Sequence, residues 1–340
     1  MTRSLGALMI LVALSSDSAS WVAGAWEQAS GTSGRQSKPL SYQVGNGNIL
    51  QVETKPTGGA VVKLVQARTG RILVQADCES WRLVSEASYV LIRSADQYYE
   101  IRLDTGMRSG PLTEDQLFET TLRYGMLLDR ITALRKLTAK PESSRSKSAC
   151  NSVVERLRTV VDEGKTALQS RSSPAAAAQE RTERELVVTL VGECRLPESA
   201  ALLVRVNEIS SIGALVSIGM PSAEVVIRSL SEPARSAGGL SVERCLLALQ
   251  RLATSYRAVA QDRRVSRLVT AALEHPVDVP ALEAAMAFAD DLDFDDGMAL
   301  VKRYAQDPSY RLQQVGDARL ADRIGQVAAK IMARRIIMTP

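Results

Sequence analysis

Apolar residues change their spacing about a third of the way along this chain. Between Ser41 and Gly110 they gather in short runs: Asn48–Val52, Val61–Gln66, Ile72–Gln75, Trp81–Val84, Tyr89–Arg93 and Tyr98–Leu103. Turn residues such as Thr57-Gly58-Gly59, Thr69-Gly70 and Thr105-Gly106 separate them. Runs rich in Val, Ile, Tyr and Trp between glycine-containing turns read as strands. In the last run Tyr99, Ile101 and Leu103 alternate with Glu100 and Arg102, the period of a half-buried strand. Pro111 closes this β region.

Beyond Pro111 the spacing is helical. Thr113 and Gln116 form a capping-box pattern ahead of Leu117. Leu122, Met126, Leu127, Ile131, Leu134 and Leu137 continue it. A polar break with Pro141 follows, then helical runs over Ser152–Leu168 and Ala175–Cys194. Shorter helices lie between Pro197, Pro221, Pro233, Pro276, Pro280 and Pro308. The most informative stretch begins at Ala214. It predicts a helix ending at Gly219, a turn carrying Pro221, and a second helix with Val225, Val226, Ile227 and Leu230 on its apolar side. So short a pair cannot bury its own apolar face, so neighbours must stack on it. The expected fold class is α+β. A small antiparallel β module over 41–110 precedes an α-helical domain over 111–337, with polar breaks near 138–151 and 170–175. The helices form either an array or an irregular bundle.

Ala214-Leu215-Val216-Ser217-Ile218-Gly219-Met220-Pro221 with the helix after it resembles a HEAT-type repeat. Ser241–Leu252 resembles the first helix of another such unit through Val242, Arg244, Ala248 and Leu249. The resemblance is centred on residues 214–252 and implies an α-solenoid that binds protein. A weaker one lies in residues 61–110, where the strands running into Thr69-Gly70 and Thr105-Gly106 resemble the end of a quinoprotein-type propeller blade. A closed propeller needs about four blades of some 40 residues each, so this region is expected to be a small sheet or a fragment that packs on something else.

Composition narrows the function. A chain of 340 residues favours two domains. The net charge of +4 gives no reason to expect nucleic acid as a partner. A single histidine, His275, rules out a multi-histidine metal site, and its place before Pro276 predicts a helix C-terminus. At the N-terminus Arg3 precedes the apolar run Leu5–Leu14, and Ala23-Gly24-Ala25 follows. This predicts a signal peptide over 1–25, a flexible leader over 26–40, and a periplasmic or secreted protein. No segment reaches the roughly 18 apolar residues of a membrane span.

That compartment permits disulfides. None of the four cysteines forms a C-x-x-C pair. Cys150, in a polar linker, and Cys194, at a helix end, are the candidate disulfide, whereas Cys245 among leucines reads as a small buried residue.

The densest acidic cluster is Asp290–Asp296, where Asp291, Asp293 and Asp295 have the spacing of cation ligands. The EF-hand pattern fails, because Asp296 stands where glycine is required and Lys302 where the closing glutamate belongs. A solvated turn that caps the next helix is the expectation. Lys330, Arg334 and Arg335 are expected to form a solvated basic helix end. No cofactor, metal or catalytic residue is expected. The sequence favours a non-enzymatic scaffold that holds another protein on its helices around residues 214–260. The alternatives are a hydrolase-type or metal-assisted enzyme using 290–296, and an envelope subunit assembling through its β module.

Overall fold

The computed structural model describes residues 27–28, 39–84, 88–166, 173–206, 208–231 and 239–338. The expected signal peptide lies outside them, as do most of the expected leader, Pro233, and residues 170–172 of the expected second break. The chain divides into two compact units, Met1–Ala133 and Leu134–Pro340.

Among its described residues the first unit holds nine strands: β1 (Glu27–Gln28), β2 (Leu40–Val44), β3 (Asn48–Thr54), β4 (Ala60–Gln66), β5 (Ile72–Cys78), β6 (Ser80–Val84), β7 (Tyr89–Ser94), β8 (Gln97–Arg102) and β9 (Arg108–Ser109). Where the sequence predicts one small sheet, they build two antiparallel sheets, ordered β2-β3-β4-β5 and β1-β6-β7-β8-β9. The chain passes between the sheets at Glu79, whose N–H donates to the Arg93 carbonyl at 2.8 Å. A strand that bends and changes sheets makes such a corner. Glycine is required opposite it, since a Cβ at Gly59 would stand 2.7 Å from the Cys78 carbonyl oxygen. Leu50, Val52, Val62 and Leu64 of one sheet share a buried core with Trp81, Val90, Ile92 and Ile101 of the other.

Strand alternation gives the second sheet another apolar face, carrying Val84, Tyr89 and Leu91, on which Leu112 and Tyr124 pack. Helix α1 (Glu114–Tyr124) begins with the predicted capping box, in which Thr113 and Gln116 cap each other reciprocally. The sequence predicts one continuous helix here, but α1 stops at Gly125 and α2 (Leu127–Ala139) starts afresh. Gly125 is extended, and the Asp129 side chain caps the new helix by accepting from the Met126 N–H at 3.2 Å. Asp129 is also held by Arg82 of β6 at 2.6 Å. These contacts draw α1 and the start of α2 into the β unit. The compact boundary therefore falls at 133 rather than 110, where the secondary structure changes.

The second unit is helical. It contains α3 (Lys147–Thr166), α4 (Pro174–Cys194), α5 (Ala200–Leu203), α6 (Ser210–Ile218), α7 (Met220–Ser231), α8 (Val242–Ser255), α9 (Arg257–Ala260), α10 (Arg263–Glu274), α11 (Val279–Leu292), α12 (Asp295–Gln306), α13 (Pro308–Val315) and α14 (Ala318–Met338). Neighbour relations sort them into two rows. α4, α6, α8 and α11 pack in succession, and so do α5, α7, α10 and α12. The chain alternates between the rows, so each added helix covers the apolar stripe of the one before it, which makes an array. Leu215, Val226, Leu249, Val269, Phe288 and Val301 are among its fully or almost fully buried residues.

Two details differ from the expectations. Gly219 alone joins α6 to α7, with φ +86°, so Pro221 lies inside the first turn of α7, where its missing N–H has no cost. The first polar break is also shorter than expected. Helix α3 starts at Lys147, so Cys150 sits in a first helical turn and is buried rather than accessible in a linker.

Candidate functional site

The sequence-predicted residues do not converge. Asp291 accepts from Gln250 Nε2 at 2.5 Å. Asp293 caps α11 in a left-handed conformation and pairs with Arg335, whose Nε also reaches Asp290 at 2.6 Å. Asp295 lies in the first turn of α12. No group of three or more acidic, Cys or His side chains among the described residues could hold a metal ion. Arg335 is thus no solvated helix end: it closes over the acidic turn. Within the array, two further arginines hold buried or half-buried carboxylates. Arg156 grips Glu183 at 2.8 Å, and Arg145 grips Glu193 at 2.6 Å. His275 caps the C-terminus of α10 through its backbone, where the sequence placed it. Cys150 and Cys194 form a disulfide, with their Cα atoms 5.7 Å apart, and tie α3 to α4. Cys78 and Cys245 are free and buried; burial pushes the Cys78 thiol up to about 11, which keeps it protonated at neutral pH.

A site that sequence reasoning missed lies in the β unit, between α1 and strands β7 to β9. On α1, Glu119 and Thr120 lie three and four residues after Gln116, and Arg123 lies four and three residues after them, so the four share one face. The opposite face buries Leu117, Phe118, Thr121 and Leu122. On the sheet, Leu91 pairs with Glu100, so Glu100 and Tyr89 lie on the side turned toward α1. Together with Ser109, Gly110 and Pro111 these residues line a groove of about 530 Å³. A second open groove, of about 560 Å³, lies between α10 and the start of α12 and includes Glu274, Asp295 and Asp296.

The electrostatics of the first groove are unusual for this chain. Burial holds the Glu100 carboxyl above the ordinary carboxylate range; Glu119 adds to the effect and a hydrogen bond with Thr120 opposes it. Burial likewise raises the Tyr89 hydroxyl, again against Thr120. Tyr89 and Tyr124 meet edge to face with ring centres 5.9 Å apart. The Arg123 guanidinium lies over the Tyr124 ring at 5.5 Å.

No protein family, curated protein or solved structure matches this chain.

Proposed function

We propose that this chain is an exported, non-enzymatic scaffold that holds another protein on the surface of its helical array. The observation that carries the reading is the two-row stacking of α4 to α12. Stacked helices leave outward faces that serve no neighbour, and surfaces of this kind suit large partners. On the α6–α7 pair, Ile209 is 74% exposed and Met220 is 42% exposed, apolar area of the sort that interfaces bury. The N-terminal charge followed by an apolar run supports export, and so does the Cys150–Cys194 disulfide. HEAT-type architecture remains part of this proposal, resting on Ile218-Gly219 and the helices on either side.

Chemistry at Asp290–Asp296 has less support, because Arg335 already occupies Asp290 and Asp293. A second reading, assembly through the β module, draws support from one feature: β2 and β5 each pair on one side only within their sheet. A pull-down from an envelope extract with the full chain as bait, read by mass spectrometry, tests both. A stoichiometric partner that is lost when α6–α8 surface residues are changed fits the scaffold. Loss on changing β5 instead fits sheet assembly, and recovery of no stoichiometric partner refutes both.

A further inference from the structure

The groove on α1 holds a combination that no packing role absorbs. Several buried and half-buried carboxylates among the described residues are held by arginines: Asp129 by Arg82, Glu183 by Arg156, Glu193 by Arg145 and Asp290 by Arg335. Glu100 is not. The groups acting on it are its own desolvation, Thr120 and the like charge of Glu119, with no cation among them. Arg123, on the same helix, leans over the Tyr124 ring instead. A half-buried carboxylate without a counter-ion is unfavourable, and a cation from outside would relieve it.

A second observation points the same way. Tyr89 is 8% exposed and lines the groove, yet its hydroxyl makes no hydrogen bond of good geometry, Thr120 being the hydroxyl that acts on it. Buried hydroxyls are normally bonded, and this one has acceptor capacity to spare. The walls beside it are two aromatic rings, Tyr89 and Tyr124, set edge to face. Aromatic faces next to a carboxylate suit a cation on a carbon stem.

We propose that this groove binds an alkylammonium or guanidinium group, with the Glu100 carboxylate as its counter-ion and the Tyr89 hydroxyl accepting one of its N–H bonds. Glu119 supplies a second negative charge at the rim, and Tyr124 walls the stem. A space of about 530 Å³ takes more than the charged head, so the ligand is either a small free amine or a Lys or Arg side chain presented by another protein. The site belongs to the β unit, whereas the surface proposed above belongs to the helical unit.

The test is calorimetric titration of the full chain with three probes: 1,5-diaminopentane, the peptide acetyl-Gly-Lys-Gly-amide, and the same peptide acetylated on its lysine. The cationic peptide or the diamine binds at least about tenfold tighter than the acetylated peptide, the cost of a lost charge-assisted hydrogen bond. The tighter of the two cations identifies the source, free amine or presented side chain. Glu100→Gln weakens binding about tenfold. Tyr89→Phe, which keeps the ring and its packing, weakens it about threefold or more and serves if the first variant folds poorly. Absence of saturable binding by both cations overturns the proposal. So does equal affinity for the acetylated peptide, or unchanged affinity in the folded variants.

Discussion

Two glycines of the array, both helical, are predicted to respond to the same substitution with opposite signs. Gly192 lies in α4 at its seam with α6; a Cβ there would stand 2.5 Å from the Ala214 Cα and 2.8 Å from the Ala214 Cβ. Carbon atoms pack at about 3.5–4.0 Å, so Gly192→Ala forces the two helices apart by about 1 Å. The obstacle is backbone, and no rotamer relieves it. Overpacking of this kind costs about 1–3 kcal/mol, against which alanine returns about 1 kcal/mol of helix propensity. Gly213, in α6, meets nothing within 4 Å of a built Cβ. Gly213→Ala therefore keeps the propensity gain, about 0.5–1 kcal/mol.

Urea unfolding of the two variants, followed by far-UV circular dichroism, reads the difference, which is expected at about 2 kcal/mol. A Gly192→Ala protein as stable as Gly213→Ala would refute the packing of α4 on α6, and with it the register of the first row. Adding Ala214→Gly to Gly192→Ala removes the contact with the Ala214 Cβ but leaves the one with its Cα. It is expected to restore only part of the loss.

Gly219→Ala should lower the melting temperature, with a loss of about 1–3 kcal/mol, because φ +86° is strained for an L-residue and the new Cβ would lie 2.6 Å from the Tyr256 hydroxyl; an unchanged melt would contradict the one-residue link. Replacing Cys150 and Cys194 together by alanine releases a link between positions 44 apart and should cost about 4 kcal/mol, seen as a lower urea midpoint that matches reduced wild type. Glu100 gives a pH signature. Its carboxyl is raised in the folded state, so the native chain binds more protons than the unfolded chain. Stability is then lost as pH rises from the ordinary carboxylate range to the raised value. Glu100→Gln should flatten that slope in melts taken from the ordinary carboxylate range upward, and an unaltered slope would show that Glu100 is not desolvated.

Local signals were legible where one residue type decides the local geometry. The Thr113–Gln116 box, the end of α6 at Gly219 and the cap at His275 follow from short-range rules, and the structure places all three as read. The six strand runs also appear, as β3 to β8. What the residues could not reveal was partnership. β2 is a short strand whose side chains are exposed or half-buried, so Leu40–Val44 gives little apolar signal and gains its order from pairing with β3. The corner at Glu79 depends on a bond to Arg93, on the far strand of the hairpin that β6 and β7 form. The helix break at Gly125 depends on Asp129, which Arg82 of β6 holds in place.

Charge was the least legible feature, and the reason bears on where function lies. The acidic run Asp290–Asp296 and the basic end at Arg335 look like two sites in the sequence. In the fold Arg335 bridges Asp290 and Asp293 across about 40 residues of chain, and much of both charges cancels. Glu100 looks ordinary, one polar member of an alternating strand. Register alone turns it toward α1, opposite Leu91 and beside Tyr89. A cluster that is dense along the chain has partners nearby by construction and tends to satisfy itself. A single ionisable group left without a counter-ion after folding has no such neighbour, so it takes up a proton more readily than usual or takes a cation from outside. That asymmetry makes the quiet strand residue, rather than the conspicuous acidic run, the place to look for a ligand.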